Sequence, residues 1–252
     1  MLPSPPTDFE SAASPPAPQP LVTRVRPARA WAEILICSGY PTQIVLGEVL
    51  NSVGVPPLNG DGALSARFVF ALSLADTVVL LSLIVWLLVR NGERPRDVFL
   101  GRRNAGQEAV VGLLSVPLVM TMVLALMILI RTFLPFLHNV PENPLEGLLG
   151  TQAGLWTFLF VVIVAGGLRE ELQRAFLLHR FRHDLGSGVA GLVVTSIAFG
   201  LGHTLQGWDA AILTGALGAA WGAIYLTRGS AIAPIVSHSL FNSGELLRAF
   251  FR

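Results

Sequence analysis

Three long apolar runs constrain the fold of this chain more than any other feature of its sequence. Residues 68–89 carry no charge except Asp76, and residues 109–130 and 147–168 carry none. Each run is long enough to cross a hydrocarbon core of about 30 Å as a helix, which takes roughly 20 residues. A chain of 252 residues is too short to bury three such helices away from water. The sequence therefore predicts a multi-pass membrane protein.

The composition agrees with a location in the lipid bilayer. Hydrophobic residues make up 52% of the chain and charged residues 13%, whereas soluble domains carry about 25% charged residues. The formal net charge of +1 gives no indication of a nucleic-acid partner. Cys37 is the single cysteine, so an internal disulfide is excluded.

The predicted fold class is all-α: a polytopic membrane bundle of about seven transmembrane helices, with six to eight compatible with the pattern. The candidate segments lie near residues 30–53, 67–89, 107–131, 151–168, 188–202, 209–227 and 231–250. Arginine is concentrated in alternate connections, which predicts a cytoplasmic N-terminus in a plasma membrane.

Three regions are expected along the chain. Residues 1–23 are rich in Pro, Ser and Ala and predict a disordered tail, without the basic and apolar parts of a signal peptide. Residues 24–147 are expected to form N-terminal membrane helices. Residues 148–252 are expected to be the functional region, because there polar residues recur inside apolar helices.

Polar clusters in this C-terminal region are candidate functional sites, since ionisable groups inside a membrane are costly. The first cluster contains Glu170 and Arg174, the second contains His203, and the third contains His238 and Asn242. Taken singly, each has a structural interpretation: charges at a helix end, a hydrogen-bonded histidine, or polar packing between helices. Together they supply a carboxylate, two imidazoles and an amide, a set that can activate water and stabilise an oxyanion.

The same residues resemble the CPBP proteins, a family of CAAX prenyl endopeptidases of the second type and bacteriocin-processing enzymes. The resemblance covers roughly residues 165–245 and rests on three motifs in order: Glu170-Glu171 with Arg174, Phe199 with His203, and His238 with Asn242. It implies a multi-pass α-helical protease that cleaves a membrane-associated, CAAX-type protein or peptide.

The resemblance also implies roles for individual residues. Glu170 and His203 would activate water, while His238 and Asn242 would form the oxyanion site. Glu171 would be a supporting residue and Arg174 would orient a carboxylate. Only two residues separate Glu171 from Arg174 here, whereas the family usually has three. On an ideal helix this spacing predicts that Arg174 faces Glu170.

Metal dependence is a separate question, because the family is often called metallopeptidase. A zinc ion would use Glu170, His203 and His238, a His₂Glu set known from catalytic zinc sites. The His-Glu-x-x-His motif is absent from the sequence, and asparagine is a poor zinc ligand. These points favour metal-free glutamate chemistry with no required cofactor.

Other functions are weaker interpretations of the same residues. Ser196 and Ser239 lack the Gly-x-Ser context of a serine rhomboid protease, and Asp76 and Asp209 lack the Gly-x-Gly-Asp context of an aspartyl protease. A membrane scaffold or immunity protein on the same fold stays open. A transporter using Glu48, Asp76 and Glu170 has no internal repeat to support it.

Charged residues outside the motifs have simpler interpretations. Asp76 and Glu48 are expected to be hydrogen-bonded or to reach the membrane surface. His179, Arg180, Arg182 and His183 are expected to form a solvated basic face near lipid headgroups.

Overall fold

The computed structural model describes residues 24–141, 143–149 and 151–251. Within these ranges the chain is helical, and the sole β pairing is an isolated bridge between Leu58 and Leu64. The all-α class predicted from the sequence is confirmed. The predicted tail, residues 1–23, lies outside the described residues.

The described part of the chain contains α-helices, short 3₁₀ turns and two π-helical stretches. The α-helices are α1 (Pro27–Ile36), α2 (Tyr40–Ser52), α3 (Ala66–Arg90), α4 (Pro95–Phe99), α5 (Ala105–Phe133), α6 (Gln152–Val161), α7 (Glu170–His179), α8 (Gly188–Leu201), α9 (Trp208–Arg228) and α10 (Ile232–Phe250). The 3₁₀ turns are Pro135–Leu137, Glu146–Leu149 and Thr204–Gln206. The π-helical stretch Val162–Arg169 joins α6 to α7, and a second one, Arg180–Asp184, extends α7, so that Gln152–Asp184 is one continuous helix.

Four of these helices are long and apolar enough to cross a membrane: α3, α5, Gln152–Asp184 and α9. The shorter helix α8 is also apolar. Large apolar side chains cover the outer surface of the bundle; Leu114 and Leu118 on α5 are 71% and 73% exposed. Such a surface is stable against lipid and not against water. The chain is therefore an integral membrane protein.

The first predicted membrane segment is not one crossing helix. It is divided between α1 and α2 at Gly39, whose φ of 91° favours glycine. Helices of 10 and 13 residues extend about 15 and 20 Å, short of a core about 30 Å thick. The break follows from backbone geometry that the hydropathy of residues 30–53 does not reveal.

Side-chain caps explain where several helices begin. The hydroxyl of Ser65 accepts a hydrogen bond from the backbone of Phe68 at the start of α3. Asn104, Thr151 and Ser187 cap α5, α6 and α8 in the same way. Such a cap satisfies a backbone N–H that a helix leaves without a partner, at about 1 kcal/mol each. Of these helices, α8 leads directly to His203 of the candidate site.

A buried charge cluster lies at the end of α7. The guanidinium of Arg180 is fully buried, with ion pairs of 2.7 Å to Glu33, 2.6 Å to Glu93 and 3.2 Å to Asp184. The prediction that Arg180 belongs to a solvated basic face was therefore wrong. Two of its partners come from α1 and from the connection between α3 and α4, and contacts that distant along the chain cannot be inferred from local sequence.

Glu93 in this cluster also contacts His179, whose Nε2 lies 2.5 Å from the carboxylate. Burial alone disfavours the charged form of Glu93. The hydrogen bond from His179 and the neighbouring charge of Arg180 outweigh burial and lower the pKa of the Glu93 carboxyl below its ordinary value. The cluster therefore favours an ionised Glu93 and ties α1 and the α3–α4 connection to the end of α7.

Candidate active site

The two adjacent glutamates of the first motif point in different directions. Both lie at the start of α7, directly after the π-helical stretch Val162–Arg169. The Glu170 side chain is 17% exposed and lines a cavity, whereas the Glu171 side chain is 1% exposed. Adjacent helical residues project about 100° apart, so one faces the cavity while the other enters the protein core.

The buried carboxylate of Glu171 is held by two residues. Arg174 donates a hydrogen bond to Oε1 of Glu171, and Nδ1 of His238 lies 2.8 Å from the same oxygen. The expectation that Arg174 faces Glu170 was therefore wrong. Positions three and four apart both neighbour a helical residue, and Glu171 alone points toward the core where Arg174 stacks over Phe199 at 4.5 Å.

His238 on α10 connects the two glutamates. Its Nδ1 donates to Glu171, and its Nε2 lies 3.9 Å from Oε2 of Glu170. The indole of Trp221 stacks on the imidazole, with ring centroids 3.8 Å apart and planes 17° from parallel. Trp221 in turn donates from Nε1 to the hydroxyl of Ser237 at 3.1 Å. The imidazole is thus fixed in orientation, with Nε2 directed toward Glu170.

His203 lies just beyond the end of α8. Its Nδ1 lies 2.8 Å from the carbonyl oxygen of Phe199. Since a carbonyl only accepts, Nδ1 carries the proton, and Nε2 of a neutral ring is left as an acceptor. The rings of Phe199 and His203 meet edge to face at 4.9 Å. Phe199 therefore holds His203 with its backbone and supports Arg174 with its ring.

Asn242 lies one helical turn after His238 on α10. Its side-chain amide packs against Gly166 in the π-helical stretch; a Cβ added at Gly166 would come within 2.7 Å of Nδ2 of Asn242. The neighbouring Gly167 leaves room for Ser239 in the same way. The absence of two side chains lets the helix that precedes Glu170 approach the face of α10 that carries the third motif.

One cavity brings the four candidate catalytic residues together. It has a volume of about 440 Å³, and its wall includes Glu170, His203, His238 and Asn242. A second cavity of about 550 Å³ lies on the side of α1 and α2 and shares Glu170 and His203 with the first. Glu170 is therefore approached from two sides.

The comparison with protein families identified one match. Residues 151–244 match the model of the Rce1-like family, type II CAAX prenyl endopeptidase Rce1-like. These residues form an Rce1-like domain. The resemblance to the CPBP proteins seen in the sequence is confirmed for this stretch, which covers less than half of the chain. Neither the curated proteins nor the solved structures contained a match.

The residues of the Rce1-like domain do not converge as zinc ligands. Among the described residues, no group of three His, Cys, Asp or Glu side chains has the geometry to hold a metal ion. The expected donor set of Glu170, His203 and His238 therefore does not fit zinc in this arrangement.

Two residues near Glu170 were not assigned to the site from the sequence. Asp76 on α3 was interpreted as a hydrogen-bonded or surface-seeking residue, and Arg169 was given no role. In the structure Nη2 of Arg169 lies 3.5 Å from Oδ2 of Asp76 and 3.8 Å from Oε1 of Glu170. The available signal was a charge inside one apolar run, Asp76, and an opposite charge directly after another, Arg169, 93 residues further along the sequence.

Proposed function

We propose that this chain is an intramembrane endopeptidase that hydrolyses a membrane-associated protein with water activated by Glu170. The observation that carries the proposal is that one cavity is lined by Glu170, His203, His238 and Asn242. The Rce1-like match to residues 151–244 supports the reaction class independently of this geometry.

Glu170 is the proposed general base. Its carboxylate faces the cavity and makes no hydrogen bond to another residue in the part of the chain that the structure describes, so it can accept a proton from water. The resulting hydroxide attacks the scissile carbonyl carbon. Nε2 of His203, an acceptor in the neutral ring, can position the same water. General acid–base groups of this kind contribute about 10²–10⁴-fold to the rate.

The tetrahedral intermediate is stabilised on the α10 side of the cavity. Asn242 offers an amide N–H, and His238 presents Nε2 to the same side of the cavity. The hydrogen bond between Nδ1 and the carboxylate of Glu171 orients that ring. Collapse of the intermediate breaks the C–N bond, and the proton taken by Glu170 passes to the leaving amine. The products are a carboxylic acid and an amine, so the hydrolysis is balanced.

The proposed substrate is a membrane-associated protein or peptide of the CAAX prenylated class. Membrane helices surround the cavity, so a lipid-anchored chain can reach it without leaving the bilayer. Arginines in the connection 90–103, which lies beside the end of α7, favour a cytoplasmic position for the site. In the corresponding orientation the protein lies in the plasma membrane with its N-terminus in the cytoplasm.

The test compares protein termini in membranes of cells that produce the wild-type chain or Glu170→Gln at equal levels. Glu48→Gln is the matched control, because Glu48 is an exposed glutamate on α2 outside the cavity wall. Purified protein is then assayed with a farnesylated CAAX peptide and with the same peptide lacking the lipid.

New termini that require Glu170 and persist in Glu48→Gln are the expected result, together with cleavage of the farnesylated peptide. Identical termini in all three cell lines, with folded protein present, would contradict the proposal and favour the scaffold or immunity function. Cleavage of both peptides at equal rates would retain the protease and overturn the prenylated substrate class.

A further inference from the structure

A buried ion pair connects the N-terminal helices to the proposed base. The Asp76 side chain is 1% exposed, although α3 is otherwise one of the most apolar helices. Its Oδ1 accepts a hydrogen bond of 2.5 Å from Thr42, and its Oδ2 accepts one of 3.3 Å from Gln43. Both donors lie on α2. A buried carboxylate with this many partners is fixed in position.

Arg169 lies between Asp76 and Glu170. Its Nη2 is 3.5 Å from Asp76 and 3.8 Å from Glu170, and its Nη1 donates to Gln173 at 3.0 Å. Gln173 donates in turn to the backbone carbonyl of Cys37 at 2.9 Å. The guanidinium is therefore anchored on the side away from Glu170. The separations of Nη2 from Asp76 and Glu170 both exceed an ordinary hydrogen bond, and Asp76 is the nearer of the two carboxylates, so Arg169 attracts Glu170 without binding it directly.

We propose that Asp76 is a positioning residue for the reaction: it holds Arg169 back from Glu170, so that Arg169 orients the base without forming a close ion pair with it. This inference rests on the proposed function of Glu170. Asp76 lies on α3, before the Rce1-like domain of residues 151–244. The N-terminal helices then contribute to the active site and do more than anchor it.

Loss of Asp76 and loss of Arg169 impair Glu170 in different ways. Without the Asp76 charge, Arg169 is drawn to the nearest remaining carboxylate, Glu170, and a direct ion pair would make that carboxylate a weaker base. Without Arg169, Glu170 loses the cation that orients it. When both charges are absent, the loss of Asp76 adds nothing further, because Asp76 acts through Arg169.

The test measures kcat and KM for a Glu170-dependent cleavage with purified Asp76→Asn, Arg169→Gln, the double variant and Asp76→Glu. The folded fraction is determined by thermal unfolding in detergent. Glu108→Gln is the matched control: Glu108 forms a buried ion pair with Arg228 at 2.7 Å, outside both cavities. It therefore reports what the loss of a buried charge does through stability alone.

Asp76→Asn is expected to lower kcat about 10–100-fold with little change in KM, the range typical of residues that orient a catalytic group. Asp76→Glu keeps the charge and is expected to restore part of the rate. The double variant is expected to be no slower than the slower single variant, because the two residues act as one unit.

Three results would overturn the inference: an unchanged kcat in Asp76→Asn, additive losses in the double variant, or an equal kcat loss in folded Glu108→Gln. If Glu170→Gln cleaves as fast as wild type, the proposed function itself fails. If Glu170→Gln is inactive while folded Asp76→Asn is fully active, only the role of Asp76 fails.

Discussion

Nδ1 of His238 donates a hydrogen bond to the carboxylate of Glu171 over 2.8 Å, deep in the interface between α7 and α10. This bond fixes which imidazole nitrogen faces the cavity. A histidine whose Nδ1 is held by a buried carboxylate has a fixed ring orientation. Glu171 therefore acts on the chemistry through His238, although the substrate does not reach it.

Glu171→Gln is expected to lower both kcat and the melting temperature. The amide weakens the hydrogen bond that orients His238, and Arg174 becomes a buried charge without a counter-ion, which costs about 3–5 kcal/mol. Adding Arg174→Met removes that second effect. The double variant is expected to regain melting temperature but not kcat, measured on a Glu170-dependent cleavage. Recovery of both would contradict a role of Glu171 in orienting His238.

Gly166→Ala is expected to lower kcat about tenfold or more while leaving the melting temperature nearly unchanged. The new methyl group would come within 2.7 Å of Nδ2 of Asn242 and displace an amide proposed to stabilise the oxyanion, a contribution of about 10²–10³ when lost entirely. Gly244→Ala is the control: Gly244 lies on the same helix as Asn242, and a Cβ added there meets nothing within 4 Å. Equal activity in both variants would remove Asn242 from the proposed site.

Chelation is expected to leave cleavage unchanged. The side chains of Glu170, His203 and His238 do not converge on a metal position among the residues that the structure describes, so the proposed reaction uses the carboxylate alone as base. Activity is measured before and after dialysis against 1,10-phenanthroline. Loss of activity that zinc restores would instead assign those three side chains to a metal site.

Acid is expected to destabilise the protein through Glu93. Its pKa in the folded chain lies below the ordinary value of 4.5, so ionised Glu93 stabilises the fold fully above that value. The contribution is lost as the pH falls toward the lower folded pKa. Melting temperatures of wild type and Glu93→Gln, compared from neutral pH to about pH 3, are expected to converge in acid. Parallel curves would show that Glu93 contributes no pH-dependent stability.

The general plan of the molecule follows from sequence because it depends on local properties. An uncharged run such as 109–130 can be satisfied in lipid as a helix, and α5 spans it. The three polar motifs were assigned to one site from the sequence, and their side chains line one cavity. Their catalytic roles stay predictions until cleavage is measured.

Side-chain pairings could not be predicted in the same way. Helical geometry allows Arg174 to meet either Glu170 or Glu171, and the choice depends on which direction leads into the core. Arg180 was assigned to the surface because its neighbours in sequence are polar, yet its counter-ions Glu33 and Glu93 lie far away along the chain. The break at Gly39 depends on a backbone angle that hydropathy does not encode.

The ion pairs between the N-terminal helices and the Rce1-like domain also bear on whether the domain can be produced alone. Arg169 and Arg180 lie within the Rce1-like domain, whereas Asp76, Glu33 and Glu93 precede it. A fragment beginning at residue 148 would carry two guanidinium groups stripped of these counter-ions in apolar surroundings, at several kcal/mol each. The domain is thus a recognisable stretch of sequence that is expected to need the N-terminal helices of this chain, or neutral residues at both arginine positions, to fold.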